Sequence, residues 1–465
     1  MKNWKKMFKY AGVTFASLAL LAACGGDTEG TPDGSADGGD VEITDEEVNL
    51  EVWLTPQWQG VYDADEEGAD YDSFFLEAAK LYNEEHPNVN IDVQVVPGDQ
   101  RDSNLSVALE TDSLPNVFFD STFVLSTWAH QGISLPLNDV ISDESREDIS
   151  DSIWENVTIN DNVYFYPFSQ NQGTMVYNAD MLAAAGLEEY MAEADEIASW
   201  TTHELREILT TLKETNPDVA PYGFYSMNNQ ADTWNMMYLR LFGNEFYDEE
   251  GLLTVNEPSG VESLEYIQSL DNDGLLVEGA ESLTSNEVNA MFQNQEVAIS
   301  FINTVLYNNM LSDMEANVID SFDARLVNIA SAEDVAPPVF TYVLGSVVMD
   351  TLDEVENEVA KDFVKFYSEH PELVNASTNT LPIRSSVSEA NADELPLLEA
   401  YNANEEYIIN FSNNMAGYAE FRNVFFPEIQ AMLIGEKTPQ EALDSLVENG
   451  NKIIETGNNQ SLILD

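Results

Sequence analysis

The sequence predicts an α/β fold with a largely parallel sheet. Two observations favour it: short apolar segments alternate with segments whose apolar residues recur at helical spacing, and the order is strand, helix, strand throughout the first third of the chain. In such sheets ligands sit beyond the carboxyl ends of the strands. The predicted elements in this part are strands at 48–54, 89–96 and 117–119, and helices at 71–85, 105–110 and 124–131.

Each element has a local reason. The helix at 71–85 has Phe74, Ala78 and Tyr82 on one face, and Pro87 prevents it from continuing. The strand at 89–96 alternates in polarity. Further along, a threonine and a glutamate three residues apart, at 201 and 204, have the capping-box spacing of a helix start. Later helices are predicted at 355–367 and 446–455, and a connection at 320–338.

Composition excludes several functions. The 465 residues include 85 acidic and 17 basic ones, for a net charge of -68, which disfavours nucleic acid as a partner. The single cysteine forms no intrachain disulfide, and the four histidines are scattered. No G-x-S-x-G elbow or complete P-loop occurs, and the acidic loop at 63–74 has Phe74 where a calcium loop needs its bidentate glutamate. We therefore predict no cofactor and no metal.

The N-terminus is predicted to be a signal peptide over residues 1–23. Four lysines fall within residues 1–9, and the apolar run at 10–23 is too short to span a bilayer. The run ends Leu-Ala-Ala-Cys-Gly at 21–25, which resembles the lipobox of bacterial lipoproteins and implies cleavage before Cys24 and lipid attachment to it. The alternative is a plain signal peptide with an incidental cysteine. Residues 24–47, acidic and glycine-rich, read as a flexible tether with a reach of about 25 Å.

The charge also predicts an environment. Removal of the signal peptide takes away four cations and no acid, so the mature chain is still more acidic. The Debye length falls from about 8 Å in physiological saline to about 3 Å in molar salt, so concentrated salt screens such self-repulsion. We expect a halophilic extracellular protein; an alkaline habitat is the alternative.

Several segments, in order, resemble the family 1 extracellular solute-binding proteins, the maltose-binding-protein-like receptors of ABC importers. No one of them is a strong motif, but together they extend over about residues 48 to 457. They are the first strand at 48–53, Tyr-Asn-Glu-Glu-His-Pro at 82–87, Leu-Pro-Asn-Val-Phe-Phe-Asp at 114–120, Tyr-Phe-Tyr-Pro-Phe at 164–168, Val-Tyr-Asn at 176–178, Met-Phe-Gln-Asn at 291–294, Leu-Pro-Ile-Arg at 381–384, and the stretch at 435–443.

This resemblance implies a two-lobe, type II periplasmic-binding-protein-like fold whose lobes are joined by a three-segment hinge. The expected crossings are at 165–174, 298–303 and 342–346. Lobe 1 is then expected to hold residues 48–168 with 303–343, and lobe 2 residues 169–302 with 344–465.

We expect ligand contacts from aromatic, amide and carboxylate side chains at the cleft edges, because sugar rings present apolar faces and a rim of hydroxyls. Asn171 matches by position a family residue that faces the cleft, although a hinge amide satisfied by the backbone is the alternative. Trp234 has a core position as its alternative, and Arg422 replaces an aromatic of maltose-binding protein, which argues against maltodextrin-type stacking. The candidate ligand-binding residues are Gln57, Trp58, Asp120, Phe123, Asn171, Trp234, Asn303, Tyr307, Tyr342 and Arg422.

The predicted function is that of a monomeric, lipid-anchored receptor on the outer face of the cell membrane. It would capture a carbohydrate, an oligosaccharide, and deliver it to the transmembrane permease subunits of an ABC importer without altering it. A peptide, polyol or phosphodiester ligand stays open; a strongly anionic ligand is disfavoured unless Arg422 or Arg384 lines the cleft. The alternatives are a surface-anchored polysaccharide hydrolase or lyase, which needs two carboxylates in a cleft, one with a raised pKa, and an adhesin without a small ligand.

Overall fold

The computed structural model describes residues 46–56, 70–98, 100–227, 232–393, 395, 397–412 and 414–464. The predicted signal peptide, Cys24, nearly all of the tether, and the candidates Gln57 and Trp58 lie outside these residues. None of the helices in the described ranges combines the length and the apolar composition that a membrane span requires.

The strands alternate with helices from the first element onward, as expected. The strands are β1 (Val48–Leu54), β2 (Val89–Val95), β3 (Val117–Ser121), β4 (Thr158–Ile159), β5 (Asn162–Val163), β6 (Tyr166–Asn178), β7 (Ile197–Ala198), β8 (Ala220–Tyr222), β9 (Val297–Asn303), β10 (Ala324–Val327), β11 (Val339–Val348), β12 (Leu381–Pro382) and β13 (Ile408–Ile409).

The helices follow the same order along the chain. They are α1 (Ser73–Glu85), α2 (Arg101–Glu110), α3 (Thr122–His130), α4 (Asp143–Asp148), α5 (Asp151–Val157), α6 (Ala179–Ala184), α7 (Thr202–Thr215), α8 (Asp232–Met237), α9 (Pro258–Asn272), α10 (Ser285–Gln293), α11 (Thr304–Glu315), α12 (Glu354–Glu369), α13 (Ser385–Ala390), α14 (Leu398–Ala403), α15 (Tyr418–Leu433) and α16 (Pro439–Gln460).

One sheet runs through the protein in the order β2-β1-β3-β11-β6-β10-β7, with β9 also paired to β6 and β8 to β9. The β1 strand is parallel to both of its neighbours, as the sequence predicts. The long strands β6 and β11 are antiparallel to each other, and β11 is antiparallel to β3. These two long strands connect the two ends of the sheet.

Two large apolar cores lie at opposite ends of β6 and β11. The first core contains buried residues of 48–168 and 343–383, including Phe74, Phe119 and Phe168. The second core contains buried residues of 175–301, 327–340 and 411–454, including Tyr222, Phe301 and Leu446. Each core is covered by its own helices. This is a two-lobe arrangement in which the connecting strands act as the hinge.

The packing differs from the predicted lobe boundaries. Residues 304–340 pack with the second core or with a smaller cluster beside it, and residues 343–383 pack with the first core. The prediction assigned these two segments the other way round. The reason is that β9 does not cross between the cores: the Asn303 side chain accepts a hydrogen bond from the Leu306 N–H at 2.9 Å, so α11 begins at once and leads back to β10. The β10 strand then pairs with the second half of β6.

Most predicted elements are present with small shifts in their ends. The capping box at Thr201 and Glu204 is confirmed, with both reciprocal hydrogen bonds in place at the start of α7. Two predictions are wrong in extent. The terminal helix α16 is longer than 446–455 because Thr438 caps it with a second box formed with Glu441. The predicted connection at 320–338 contains β10.

The half-buried carboxylate of Glu369 joins two helices, α4 and α12, to the strand β6 at the first core. Glu369, the last residue of α12, accepts hydrogen bonds from the hydroxyls of Ser142 at 2.6 Å, Ser145 at 2.7 Å and Tyr166 at 2.6 Å. Burial alone would raise the pKa of Glu369, but these hydrogen bonds outweigh it and lower the pKa. Arg384 donates to Ser145 and forms an ion pair with Asp148 at 3.4 Å, so this arginine supports the core and does not line a cleft.

Candidate functional site

The β6 strand carries polar side chains through the hinge, and its pleat sends them to opposite faces of the sheet. Ser169 and Asn171 lie on one face, whereas Gln170 and Gln172 lie on the other. Asn171 stands directly opposite Tyr342 of β11 in the antiparallel pair. Both residues were predicted as ligand contacts, and the structure brings them together where the chain passes between the cores.

The hydroxyl of Tyr342 accepts hydrogen bonds from two side-chain amides. The Nδ2 group of Asn171 donates a short hydrogen bond to it, and the Nδ2 group of Asn303 donates another at 3.4 Å. Burial raises the pKa of Tyr342, the nearby Asp120 carboxylate raises it further, and the hydrogen bond from Asn171 opposes both. The phenol therefore keeps its proton at neutral pH and can donate as well as accept.

Asp120 lies at the carboxyl end of β3 and is only 1% exposed. Its Oδ2 atom forms an ion pair with Arg101 Nη1 at 3.1 Å, and its Oδ1 atom accepts the Ser121 N–H at 2.6 Å. Burial alone would lower the pKa of Arg101, but Asp120 and Asp102 outweigh it and raise the pKa, so the guanidinium stays charged. Asp120, Arg101, Asn171, Asn303 and Tyr342 are called the crossing cluster below.

Sequence reasoning missed Arg101. Basic residues are scarce in this chain, and Arg101 stands at the first position of α2, just after the carboxyl end of β2. The rule that ligands sit beyond the carboxyl ends of strands applies to β2 as well as to β1 and β3. A cation at that edge of an acidic protein was the signal that could have found it.

The amides of the crossing cluster also position the start of α11. The Oδ1 atom of Asn171 accepts the Val305 N–H at 3.3 Å, and Asn303 is the N-cap of the same helix. Asn171 is 2% exposed, whereas Asn303 and Tyr342 are half-buried. Asn171 therefore serves the hinge backbone, as the alternative interpretation expects, and it stands beside a partly accessible hydroxyl. Ligand binding by Asn171 stays a prediction.

The opposite face of β6 is covered by a second polar group, the amide network of Gln170, Gln172, Asn328 and Asn404. Gln172 accepts from Asn404 at 3.3 Å and donates to the Tyr401 carbonyl at 3.2 Å, while Asn328 and Asn404 donate to each other at 2.9 and 3.1 Å. Gln170 accepts from Thr341 at 3.1 Å. The amide network joins β6 to β11, to the end of β10 and to the segment after α14, and Gln170 also donates to the Glu405 carboxylate.

Trp234 lies in the second core. It is 6% exposed and makes edge-to-face contacts with Phe301 at 4.6 Å and Phe340 at 5.4 Å between ring centroids. Phe340 in turn lies nearly parallel to Tyr342 at 6.4 Å. Gly173 makes room for Phe340, since a Cβ atom at this position would stand 1.9 Å from the Phe340 ring. The structure thus gives Trp234 the core position that was the alternative, because the Phe301 ring of β9 and the Phe340 ring of β11 pack against it.

Two further candidates have other roles. Tyr307 is buried beside Met310 and Leu326, and its hydroxyl donates to the Ala324 carbonyl at 2.9 Å. Burial raises the pKa of Tyr307 to about 12. The prediction that Tyr307 binds ligand is therefore wrong in this structure: the residue is in the second turn of α11 and faces β10. Arg422 lies over the Tyr418 ring of its own helix, 6.0 Å from the centroid, and is half-buried.

The remaining candidates are not described. Gln57, Trp58 and Cys24 fall outside the described residues, and the side chain of Phe123 is likewise not described, although its backbone belongs to the first turn of α3. They stay predictions.

The crossing cluster can hold a polar neutral solute. It offers a phenol, two amides, a carboxylate and a guanidinium, which between them donate and accept hydrogen bonds. No group of three metal-ligating side chains occurs among the described residues. Burial raises the pKa of Glu405, and its contact with Gln170 places it on the face of β6 opposite to Asn171. Glu405 and Asp120 are therefore poorly placed to act together as the acid and base of a glycosidase.

Residues 65–372 match the model of a family described as bacterial extracellular solute-binding protein. Among curated proteins, a binding protein of Brucella abortus is 21% identical over 226 residues, 49% of this chain and 53% of its own length. The arabinooligosaccharide-binding protein of Bacillus subtilis is 22% identical over 242 residues, 51% of this chain and 53% of its own. This chain thus spans about half the length of the curated relatives it matches.

A solved structure extends the likeness to the fold. The cyclic alpha-maltosyl-1,6-maltose binding protein from Arthrobacter globiformis superposes with a TM-score of 0.72 at 22% identity. The superposition covers 88% of this chain and 100% of that chain. The two-lobe α/β fold that the sequence predicted is confirmed.

Proposed function

Since this chain belongs to the family of bacterial extracellular solute-binding proteins, we propose that it is the receptor of an ABC importer that captures a carbohydrate between its lobes. The carbohydrate is an oligosaccharide, held without chemical change and passed to the transmembrane permease subunits. The observation that carries the proposal is the crossing cluster, in which side chains of β3, β6, β9 and β11 meet at the hinge.

The chemistry of the crossing cluster favours a hydroxyl-rich ligand. A sugar hydroxyl donates to a carboxylate and accepts from an amide or guanidinium, and Asp120, Asn303 and Arg101 offer both kinds of partner. The Asp120 carboxylate neutralises the Arg101 charge, so the ion pair as a whole does not attract an anionic ligand. The names of the relatives from Bacillus subtilis and Arthrobacter globiformis, which specify oligosaccharides, support the same class.

Ligand capture works through the hinge. A solute that contacts both lobes stabilises the closed arrangement, and the permease recognises that arrangement. The ligand shifts the equilibrium only by its difference in affinity for the closed and open forms. Asn171 and Tyr342 stand on the connecting strands β6 and β11, and Asn303 lies beside them at the end of β9. A ligand bound to these residues is therefore coupled directly to the movement of the hinge.

The proposal includes the location of the protein. Residues 1–23 direct export, the Cys24 sulfur carries the lipid, and the acidic tether lets a monomeric body move over the outer face of the cell membrane. The acidic surface suits concentrated salt. Catalysis and nucleic-acid binding are not part of the function.

Calorimetric titration of the full chain with a panel of arabino- and malto-oligosaccharides tests the proposal. We expect one panel member to bind, and mass spectrometry of the recovered sugar to find it intact. Tyr342→Phe should weaken that binding about tenfold, the cost of one good hydrogen bond. Tyr407→Phe is the matched control, because the Tyr407 hydroxyl pairs with the surface residue Glu406.

Two results would contradict the proposal. Cleaved sugar in the recovered material would assign the protein to the hydrolases or lyases. Equal affinities of the two tyrosine variants would remove the crossing cluster from the binding site, even if a sugar bound elsewhere.

A further inference from the structure

The last described residues, Ser461–Leu464, form a short strap that leaves α16 and lies against the first core. The Leu462 N–H donates to the His130 carbonyl at 2.8 Å, and the Asn160 side chain donates to the Ile463 carbonyl at 3.1 Å. The Ile463 side chain packs on the small cluster of Ala129, Ile159 and Tyr164. The strap is therefore fixed both by its backbone and by an apolar side chain.

The imidazole of His130 joins the strap to a second segment. Its Nε2 atom lies 2.7 Å from the Asn414 carbonyl and its Nδ1 atom 2.8 Å from the Ser461 hydroxyl. A carbonyl only accepts, so Nε2 carries the proton and Nδ1 accepts from Ser461. The Ser461 oxygen also accepts the N–H groups of Ile463 and Leu464, which leaves its own proton for the imidazole. Burial lowers the pKa of His130, in keeping with a neutral ring.

The loop before α15 adds to the same contact. The Asn414 side chain donates to the carbonyls of Thr158 at 3.0 Å and Glu155 at 3.3 Å, at the end of α5. Asn414 adopts a left-handed backbone with φ of 47°, which asparagine tolerates better than most residues. The strap and this loop thus meet the first core at neighbouring points on either side of His130.

These contacts connect the two cores away from the sheet. The helices α15 and α16 belong to the second core through Tyr418, Phe421 and Leu446, whereas α3 and α5 belong to the first core through Trp128 and Ile153. The α15 helix also packs against α3. Since α3 begins two residues after Asp120 and ends at His130, the crossing cluster and the strap lie about 13 Å apart, at the two ends of one helix.

Two solvent-accessible clefts flank the strap. One cavity of about 530 Å³ is lined by His130, Lys452 and Ser461, and a second of about 480 Å³ by His130, Asn156 and Asn458. The hydrogen bonds of His130, Asn160 and Asn414 lie beside these clefts and add to the apolar contact of Ile463. Contacts of this kind break and reform more readily than a packed core.

We propose that the strap is a latch for the closed state of the two lobes: its hydrogen bonds to His130 and Asn160 form when the lobes close and break when they separate. This rests on the proposed function, in which closure accompanies capture. It assigns the C-terminal residues a part in setting how long the lobes stay closed.

Distances between spin labels on the two cores test the latch in the full chain without any ligand. Labels are placed at Glu110→Cys on α2 and Glu214→Cys on α7, both exposed, with Cys24→Ser in every sample. We expect a short-distance, closed population. Ser461→Ala should raise the ratio of open to closed molecules by about fivefold, the factor expected for one net hydrogen bond, and deletion of residues 461–465 should raise it further.

The control is Thr210→Ala, whose hydroxyl bonds only the Arg206 carbonyl one turn back in α7; it should leave the distances unchanged. Three results would overturn the latch: equal distributions in all chains, a shift to shorter distances on deletion, or an unaltered chain that shows the long distance alone. If the deletion lowers the helical signal in circular dichroism, the truncated chain is partly unfolded, and the distances of the Ser461→Ala variant then decide whether the latch exists. Because no sugar is present, failure here is distinct from failure of the proposed function.

Discussion

Replacing Tyr342 by Phe removes one oxygen atom and keeps the ring, so it isolates the hydrogen bonds of the crossing cluster. The ring stays beside Phe340, and no cavity term is expected. Two amides lose their acceptor. Asn303 is half-buried and gains water instead, whereas Asn171 is 2% exposed and leaves a donor unsatisfied. One orphaned buried donor costs roughly 1–2 kcal/mol of unfolding free energy.

Urea unfolding followed by tryptophan fluorescence measures this loss. We expect a lower midpoint with an unchanged slope, since the surface exposed on unfolding is the same. Tyr407→Phe serves again as the control and should leave the midpoint in place. A Tyr342→Phe protein as stable as the unaltered chain would refute the reasoning, because the Asn171 amide would then have another partner or access to water.

Three further predictions concern packing, charge and salt. Gly173→Ala should lower the unfolding free energy by roughly 1–3 kcal/mol in urea, because the new methyl group would meet the Phe340 ring; Gly98→Ala, with open space around it, is the control and equal effects would contradict the packing argument. Glu369→Gln should cost roughly 2–4 kcal/mol at pH 7. Because the pKa of Glu369 is lowered in the folded state, its contribution to the free energy of unfolding is present above about pH 4.3 and is lost as the pH falls through the folded pKa. The stability of the Glu369→Gln variant should therefore fall less steeply with decreasing pH than that of the unaltered chain, and equal slopes would contradict this. The melting temperature should rise between 0.1 and 1 M NaCl as the net charge of -68 is screened, and a constant value would argue against the halophilic interpretation.

Periodicity and capping predicted the fold well because they act locally. The Thr201 box and the apolar face of α1 depend on residues within one or two turns, so the sequence alone reveals them. The lobe boundaries depend on where the chain goes after Asn303. That is decided by the pairing of β9 and β10 with β6, which lies more than a hundred residues earlier in the sequence. No local pattern records such a choice.

The candidate site was predicted in part for the same reason. Asp120, Asn171, Asn303 and Tyr342, which the structure brings together, were predicted because they stand at a strand end or at the crossings that the family resemblance implies. Tyr307 and Trp234 carry the same chemistry, but the geometry of α11 and of the Phe301 and Phe340 rings directs them inward. The sequence alone does not reveal whether an aromatic side chain will face the core or the cleft, because that depends on which other elements pack against it.

The amide network behind β6 has a consequence for the environment of the protein. Its hydrogen bonds join Gln172, Asn328 and Asn404, none of which ionises, in a chain that otherwise carries a large excess of acid. Screening changes the repulsion between surfaces but leaves the strength of neutral, buried amide pairs nearly untouched. The hinge of this receptor should therefore bend with the same stiffness in dilute and in concentrated salt, whereas the acidic surfaces on either side of it respond to every change in ionic strength.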